Sequence, residues 1–281
     1  MAEPAQGTPR LSLAGRALIG FGVLVALLLG YEVALSGLYQ QQSQRSLLAS
    51  FKQEVPTRRL DSPAALAGEG DPVALLRIDR IHLEQMVVEG SSPSDLRAGP
   101  GHLRVSPLPG EHGNAVILGR RLTYGGPFGE LFQLRTGDRI TVTTGQGSFT
   151  YRVASRGWAG PQDVEAMAAT RDDLLTLVTS EPVLEATRRY YVRARLVGDP
   201  LAVASRPPAG VVPAELGLAG DAGGLLLALV AGQLLLGAGW VAWRQRRTWP
   251  PAVLYMLAAP VLVALAVVAF SSFDAILPGT L

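Results

Sequence analysis

The sequence contains no cysteine. A chain without cysteine forms no disulfide, no cysteine-ligated metal site and no thiolate, so every chemistry that needs a sulfur nucleophile is excluded. Lysine is nearly as scarce, because Lys52 is the only one among the 25 basic residues. The formal net charge of +2 over 281 residues gives no large basic surface, which argues against a nucleic-acid partner.

Motifs of other enzyme classes are missing as well. The sequence has no phosphate-binding glycine loop, no His-Glu-x-x-His pair and no Gly-x-Ser-x-Gly elbow. Its carboxylates and its three histidines are scattered along the chain. The sequence therefore predicts neither a metal site nor a cofactor.

Long apolar runs are what the sequence has in excess. Hydrophobic residues make up 48% of the chain, and its mean hydropathy is +0.25. About 20 apolar residues are needed to cross a bilayer as a helix. Three runs are this long, and they predict transmembrane helices at residues 17–39, 222–243 and 250–273. The first run contains one charge, Glu32, and the second is interrupted only by Gln233.

Basic residues next to these runs predict their orientation. Arg10 and Arg16 precede the first run, and the loop 244–249 holds three arginines. By the positive-inside rule, residues 1–16 and this loop lie in the cytoplasm, and residues 40–221 lie outside. The predicted location is the plasma membrane, with a cytoplasmic N-terminus and an extracytoplasmic main domain. Residues 274–281 form a C-terminal tail.

Two features of this prediction have alternatives. The first run is interpreted as an uncleaved anchor, but Ala34 to Ser36 resembles the small-residue cleavage site of a signal peptide. The arginines of the loop 244–249 are interpreted as topology determinants, and the alternative is a site for anionic lipid.

The segment outside the membrane combines two linkers with one folded region. Residues 40–72 predict a stalk, helical up to Lys52, and then a linker; residues 199–221 predict a second linker back to the membrane. Between them, residues 73–198 show short strand patterns, including a hairpin around Gly145–Gly147. Such a run of short strands predicts a closed β-barrel or a sandwich. The predicted strands are Val73–Ile78, Met86–Val88, Asn114–Gly119, Ile140–Thr144, Phe149–Val153, Leu174–Thr179 and Tyr190–Val197.

An ordered set of short segments in this region resembles the sortase family, most closely its class E members from high-GC Gram-positive bacteria. The resemblance covers about residues 73–198 and implies an eight-stranded β-barrel on the outer face of the membrane. No single segment is specific, but their order is. The segments include Leu75–Gly90, Gly99–His102, Pro109-Gly110, Gly113-Asn114, Pro127-Phe128, Gly137-Asp138, Leu175–Thr179 and Arg189–Val192.

The resemblance also implies where a catalytic site would lie. Sortases cleave a sorting signal at a Thr–Gly bond, form a thioacyl enzyme and pass the acyl group to a cell-wall amine. The family pattern has a histidine after the strand that ends at Gly119, a cysteine after the strand that ends at Thr179, and an arginine before the last strand. This chain has Arg120, Ser180 and Arg189 at those positions, with Arg188 as an adjacent match for the arginine.

These identities change the chemistry that the positions allow. A serine hydroxyl attacks only with the help of an adjacent general base. The guanidinium of Arg120 keeps its protons in proteins and so cannot act as that base. The three histidines (His82, His102 and His112) are interpreted as surface or packing residues.

Two interpretations of the arginines stay open at this point. In the first, Arg120, Arg121 and Arg189 converge on a positively charged cleft that binds an anionic group. In the second, Arg120 pairs with Glu181 or lies in solvent, and Arg189 is structural.

The sequence accordingly supports one main function and two alternatives. The main expectation is a pseudoenzyme, a sortase-like module that binds a surface-protein peptide, an anionic cell-wall ligand or a membrane-protein partner. The first alternative is a Ser-dependent or residual sortase-type transpeptidase or hydrolase. The second is a structural membrane subunit.

Overall fold

The computed structural model describes residues 36–54, 67–160, 165–181, 188–202 and 222–274. These ranges form eight β-strands and four α-helices, with short 3-10 turns between some of them. The elements are α1 (Ser36–Glu54), β1 (Pro72–Ile78), β2 (Leu83–Glu89), α2 (Asp95–Ala98), β3 (Gly101–His102), β4 (Asn114–Leu118), β5 (Arg139–Thr144), β6 (Gly147–Ala159), β7 (Leu174–Glu181), β8 (Arg188–Val197), α3 (Ala222–Gln245) and α4 (Pro251–Asp274).

The eight strands close into a barrel in the order β1-β2-β3-β4-β7-β8-β6-β5. Neighbours pair antiparallel except for β2 with β3 and β4 with β7, which are parallel. The barrel confirms the predicted mainly-β, closed fold. It also brings together the ends of β4, β7 and β8, which lie far apart in the sequence.

Alternating side chains on β4 and β7 divide the core into an inner and an outer part. Ala115 and Ile117 lie in the large cluster inside the barrel, as do the odd-numbered leucines of β7. Val116, Leu118 and Val178 belong to a second, smaller cluster on the outer face. Side chains two residues apart on a strand share a face. Arg120, two residues after Leu118, and Ser180, two residues after Val178, therefore extend the outer face.

The hairpin predicted around Gly145–Gly147 is present between β5 and β6. Thr144 pairs with Gly147, which leaves a two-residue turn of Gly145 and Gln146. The strand β6 is longer than the predicted Phe149–Val153, because a register shift between Val153 and Ser155 breaks the alternation, and the strand continues beside β8.

The helix α1 agrees with the helical stalk that the sequence predicts, but it packs against the barrel. The side-chain amide of Gln44 accepts a hydrogen bond from the Met86 N–H (2.6 Å) and donates to the Met86 carbonyl (3.0 Å). It also donates to the Ala98 carbonyl (2.8 Å). One turn earlier, Gln40 donates to the side chain of Gln85 (2.8 Å). These bonds fix the helix to the outward edge of β2.

The two C-terminal helices correspond to the second and third predicted spans. Within α3, Leu227–Gln245 is long and apolar enough to cross a membrane. Only 6% of an apolar 18-residue stretch in this segment is buried. The apolar stretch of α4, Met256–Ala269, is shorter. Among the described residues, one helix is both long enough and apolar enough to cross a membrane, so the three predicted spans are not confirmed. Residues 17–35 of the first predicted span lie outside the described ranges.

Candidate functional site at the ends of strands β4, β7 and β8

The barrel places three of the predicted site residues side by side. In the parallel pair β4–β7, Leu118 is opposite Val178, and the Gly119 N–H donates to the Val178 carbonyl (3.0 Å). Arg120 and Ser180 are each two residues beyond that pair, and neighbouring strands lie about 4.8 Å apart. On the other side of β7, Ser180 is directly opposite Arg189 of β8.

A glycine at the end of β4 is required by the core beneath this site. A Cβ on Gly119 would meet the ring of Phe128 at 2.5 Å. Phe128 is fully buried inside the barrel, and its N–H donates to the Arg120 carbonyl (3.0 Å). The loop after β4 therefore folds back over the barrel end and holds the backbone of Arg120 in place.

Arg120 is the largest fully buried side chain among the described residues. Its Nη1 donates to the Thr123 hydroxyl (2.7 Å), and its Nη2 donates to the Pro93 carbonyl (3.1 Å). Its guanidinium carbon lies 4.7 Å from the centroid of the Tyr124 ring, within cation–π range. The guanidinium thus points into the protein, which is none of the three placements that the sequence suggested: in a positive cleft, paired with Glu181 or in solvent.

Arg121 is the arginine that pairs with Glu181. Its guanidinium forms a salt bridge with that carboxylate and donates to the Ser180 carbonyl (3.0 Å). Burial lowers the pKa of Arg121 from its usual value. The contact ties the loop after β4 to the end of β7 through the backbone of Ser180.

Ser180 and Arg189 are both enclosed. Ser180 is 0% exposed and Arg189 is 3% exposed. In the sheet, the position of this buried serine is directly opposite Arg189 and next to the strand end that carries Arg120.

Tyr124 is a site residue that sequence reasoning missed. Its φ of 50° is in the left-handed region, which is unusual for a bulky residue. The ring stacks edge-on against Tyr39 of α1 (5.8 Å), and its N–H donates to the Ser36 hydroxyl (3.0 Å). The tyrosine therefore connects Arg120 to α1. The glycines at 125 and 126 are typical of a turn, but they do not indicate that the Tyr124 ring contacts Arg120 and α1.

Two of the three histidines lie away from the three strand ends. His112 Nδ1 is 2.9 Å from Asp173 Oδ1, and these residues precede β4 and β7, at the opposite end of both strands. His82 is exposed and follows the 3-10 turn after β1.

The third histidine, His102, belongs to a buried polar network. Its Nδ1 is 2.9 Å from Glu89 Oε2, and its Nε2 is 3.1 Å from Ser106 Oγ and 3.0 Å from the Pro107 carbonyl. A Ser–His–Glu set suggests nucleophilic catalysis, but here Nε2 of the imidazole contacts a backbone carbonyl as well as the hydroxyl. The Ser106 hydroxyl donates to the Leu103 carbonyl (2.8 Å). This network is structural.

Comparisons with known proteins agree with the fold. A family model described as the sortase domain matches residues 76–197. Sortase D of Bacillus subtilis (strain 168) is 29% identical over 166 residues, covering 58% of this chain and 75% of that protein. Sortase A of Bacillus anthracis is 25% identical over 127 residues, covering 45% of this chain and 60% of that protein.

Solved structures show the same relationship. A sortase D5 transpeptidase from Clostridium perfringens has a TM-score of 0.52 and 26% identity, covering 56% of this chain and 99% of its own. Sortase E from Streptomyces avermitilis is 32% identical, covering 47% of this chain and 93% of its own, with a TM-score of 0.42. The chain described here belongs to the sortase family.

Proposed function

We propose that this protein is a membrane-anchored sortase without sortase chemistry, whose barrel acts as a binding or scaffolding module at the bacterial cell surface. One observation carries the proposal. The chain has no cysteine, and Ser180 and the buried Arg120 occupy the strand ends where the family pattern has cysteine and histidine.

The surroundings of Ser180 support the loss of catalysis. Among the described residues, its neighbours on the adjacent strand ends are Arg120 and Arg189, and its carbonyl is bound by Arg121. The adjacent carboxylate, Glu181, is engaged in a salt bridge with Arg121. A serine nucleophile needs a general base; an arginine cannot act as one, and the Glu181 carboxylate is already paired with Arg121.

The helices α3 and α4 support the membrane anchor. Both are rich in exposed large apolar side chains, including Leu236 (72% exposed) and Met256 (76% exposed). A soluble protein would bury such residues against a core, whereas a bilayer solvates them. Three tryptophans, at 240, 243 and 249, lie near the turn between the helices, as is typical of a membrane interface.

The ligand of the proposed module is an acidic peptide or an anionic cell-wall polymer. Four arginines, at 120, 121, 188 and 189, lie at this end of the barrel, and Glu181 pairs with one of them, Arg121. Arg188 is exposed opposite Glu181, so it is the residue best placed to meet a ligand first. Arg121 and Arg189 border the same strand ends, and Arg120 supports them from within.

An activity assay on the full chain tests the proposal. The protein in detergent is incubated with fluorogenic sorting-signal peptides and with hydroxylamine as the acceptor amine. We expect no turnover by the wild type, by Ser180→Cys or by Arg120→His, because thiolate and imidazole act together. Only the double variant that keeps Arg189 re-creates the family's set of groups, and we expect little activity even from it.

The alternative, a Ser-dependent enzyme, predicts the opposite result for the wild type. Peptide turnover that Ser180→Ala abolishes would show that Ser180 is a nucleophile, and the proposal of an inactive module would be wrong.

A further inference from the structure

The two C-terminal helices form an open cleft between them, apart from the site on the barrel. α3 and α4 pack along each other, and near the turn between them they leave a space of about 360 Å³. Its walls include Val241, Trp249, Leu257, Ala258 and Val261. The volume is within the range of about 300–1,000 Å³ that is usual for small-molecule sites. An apolar occupant fits these walls.

Positive charge surrounds one end of this cleft. Gln245 lines the cleft, and it lies between Arg244 and Arg246 in the sequence, with Arg247 next. All three arginines are exposed. Two are held on aromatic rings: the guanidinium carbon of Arg244 is 5.6 Å from the Trp240 ring centroid, and that of Arg246 is 5.0 Å from the Trp243 ring centroid. Their positions relative to the cleft end are thereby restrained.

No acidic side chain balances these arginines within the hairpin. Between Ala222 and Phe273 the sequence contains no Asp or Glu, and Asp274 ends α4. That aspartate is at the far end of a 24-residue helix from Pro251, or about 35 Å away at 1.5 Å per residue. The sequence of the hairpin therefore provides no negative charge near the turn that could neutralise these arginines.

We infer that this end of the hairpin is a binding site for an anionic phospholipid, whose acyl chain fills the cleft and whose phosphate contacts Arg244, Arg246 and Arg247. The inference rests on the proposed membrane anchor, because the site needs the hairpin to lie in a bilayer. Arginine is suited to the role, since its planar fork donates two parallel hydrogen bonds to a phosphate.

Charge decides against another helix as the occupant. The first predicted span of the chain begins after Arg10 and Arg16, and these would meet the arginines of the turn on the same side of the membrane. A second copy would bring a second arginine-rich turn. Both add positive charge where the cleft already has an excess, whereas an anionic headgroup neutralises it.

The test measures lipid preference on the full chain in detergent. Native mass spectrometry compares binding of phosphatidylglycerol and phosphatidylcholine with identical acyl chains. We expect the wild type to prefer phosphatidylglycerol by at least about tenfold, because three arginines face the headgroup. The triple variant Arg244→Gln, Arg246→Gln, Arg247→Gln should lose that preference, and Ala258→Phe should weaken the binding of both lipids by filling the cleft.

A matched control separates the site from net charge. Three exposed barrel arginines, at 135, 139 and 152, are replaced by glutamine together, which removes the same charge. This variant should keep the wild-type preference. Equal binding of the two lipids by the wild type, or an unchanged preference in the triple variant of the turn, would overturn the inference.

Two further measurements distinguish the remaining outcomes. Because the chain has no cysteine, Ala258→Cys introduces a single thiol in the cleft. Disulfide-linked dimers of this variant would identify a second copy as the occupant and overturn the lipid site. Release of the wild type from bacterial membranes by alkaline carbonate would disprove the membrane anchor itself. Retention in the membrane without lipid preference would disprove only the lipid site.

Discussion

Arg120 is a cation held inside the protein, where a hydroxyl, a backbone carbonyl and an aromatic ring surround its guanidinium. Burial of a charge is tolerated only when hydrogen bonds and polarisable neighbours replace water. Thr123, Pro93 and the Tyr124 ring do so here. The residue therefore stabilises the loops around the ends of β4 and β7, and it is not available to a ligand in this conformation.

Replacing Arg120 should destabilise the fold. Arg120→Ala leaves two buried polar partners without a donor, each at a cost of about 1–3 kcal/mol, so we expect a loss of about 3 kcal/mol. A thermal-unfolding scan should show a decrease of roughly 6–12 °C in Tm, given about 2–4 °C per kcal/mol for a chain of this size. Arg139→Ala, at an exposed position on β5, is the control and should change little.

The opposite result would return Arg120 to the anion-binding role. In that case Arg120→Ala keeps the wild-type Tm and loses affinity for an acidic peptide, with a salt dependence that the wild type shows and the variant lacks.

Burial of Tyr151 should make the stability of the barrel decrease at alkaline pH. Tyr151 is 1% exposed, and its hydroxyl accepts a hydrogen bond from the Gly110 N–H (2.7 Å). Burial raises the pKa of Tyr151 from 10.0 to about 12. In the unfolded chain the phenol ionises near pH 10, so its contribution to stability is complete below pH 10 and is lost between pH 10 and pH 12.

The size of that loss follows from the shift. Each pH unit in this window should remove about 1.4 kcal/mol, or about 3 kcal/mol in total. Denaturant unfolding of wild type and Tyr151→Phe between pH 8 and pH 12 measures it, and the difference between the two removes the contribution of the other tyrosines. Parallel pH profiles for the two proteins would contradict the assignment to Tyr151.

The proximity of Arg120, Ser180 and Arg189 could be predicted from the sequence, but their contacts could not. Arg120, Ser180 and Arg189 were found from the order of the family's segments, and the barrel brings them together. Which way a guanidinium points depends on residues distant in sequence, such as Pro93. Tyr124 was missed for the same reason, since its partners lie in α1.

At the scale of elements, α1 completes the edge of β2. The Met86 N–H and carbonyl point away from β1, and the Gln44 amide satisfies both, as a neighbouring strand would. β3 pairs with β2 only at Val88 and Glu89, so α1 covers the part of the same side of β2 that β3 does not reach. Covering an unpaired strand edge with a helix is a common way to prevent aggregation. A stalk was predictable from composition, but this docking was not, because the polar face of α1 carries no hydrophobic signal.

Replacing Gln44 should release α1 from the barrel. Gln44→Ala removes three hydrogen bonds, and we expect the amides of α1 and Met86 to exchange with solvent at least about tenfold faster, for a loss of about 1–2 kcal/mol. Hydrogen-exchange mass spectrometry at peptide level measures the change. Gln42→Ala on the exposed side of α1 is the control. Equal exchange in the two variants would show that other contacts hold the helix.

The strands illustrate which elements a sequence pattern reveals. Runs that are apolar on both faces, such as Asn114–Leu118, or that alternate over a hairpin, such as Arg139–Thr144, were predicted to within a residue or two. β3 was missed because it has only two residues, Gly101 and His102, and is defined by its neighbours. A strand this short has no period to detect.

At the scale of the whole molecule, a small barrel is combined with a C-terminal helical hairpin that lies beyond the matched sortase domain. The domain match ends at residue 197, and α3 begins at Ala222. The exposed apolar surface of the hairpin and the arginines at its turn agree with a membrane location.

The orientation of the chain is the prediction that decides whether the barrel can meet a cell-surface ligand at all. Arg10, Arg16 and the arginines of the loop 244–249 all favour the cytoplasmic side, so the barrel between them should lie outside. Alkaline phosphatase fused after Leu201 should be active, since that enzyme folds only outside the cytoplasm. The same reporter fused after Arg247 should be inactive, and a cytoplasm-dependent fluorescent protein at that position should be bright. Reversed signals at the two positions would place the barrel in the cytoplasm and exclude a cell-wall ligand, whereas phosphatase activity at both would mean that α3 does not cross the membrane.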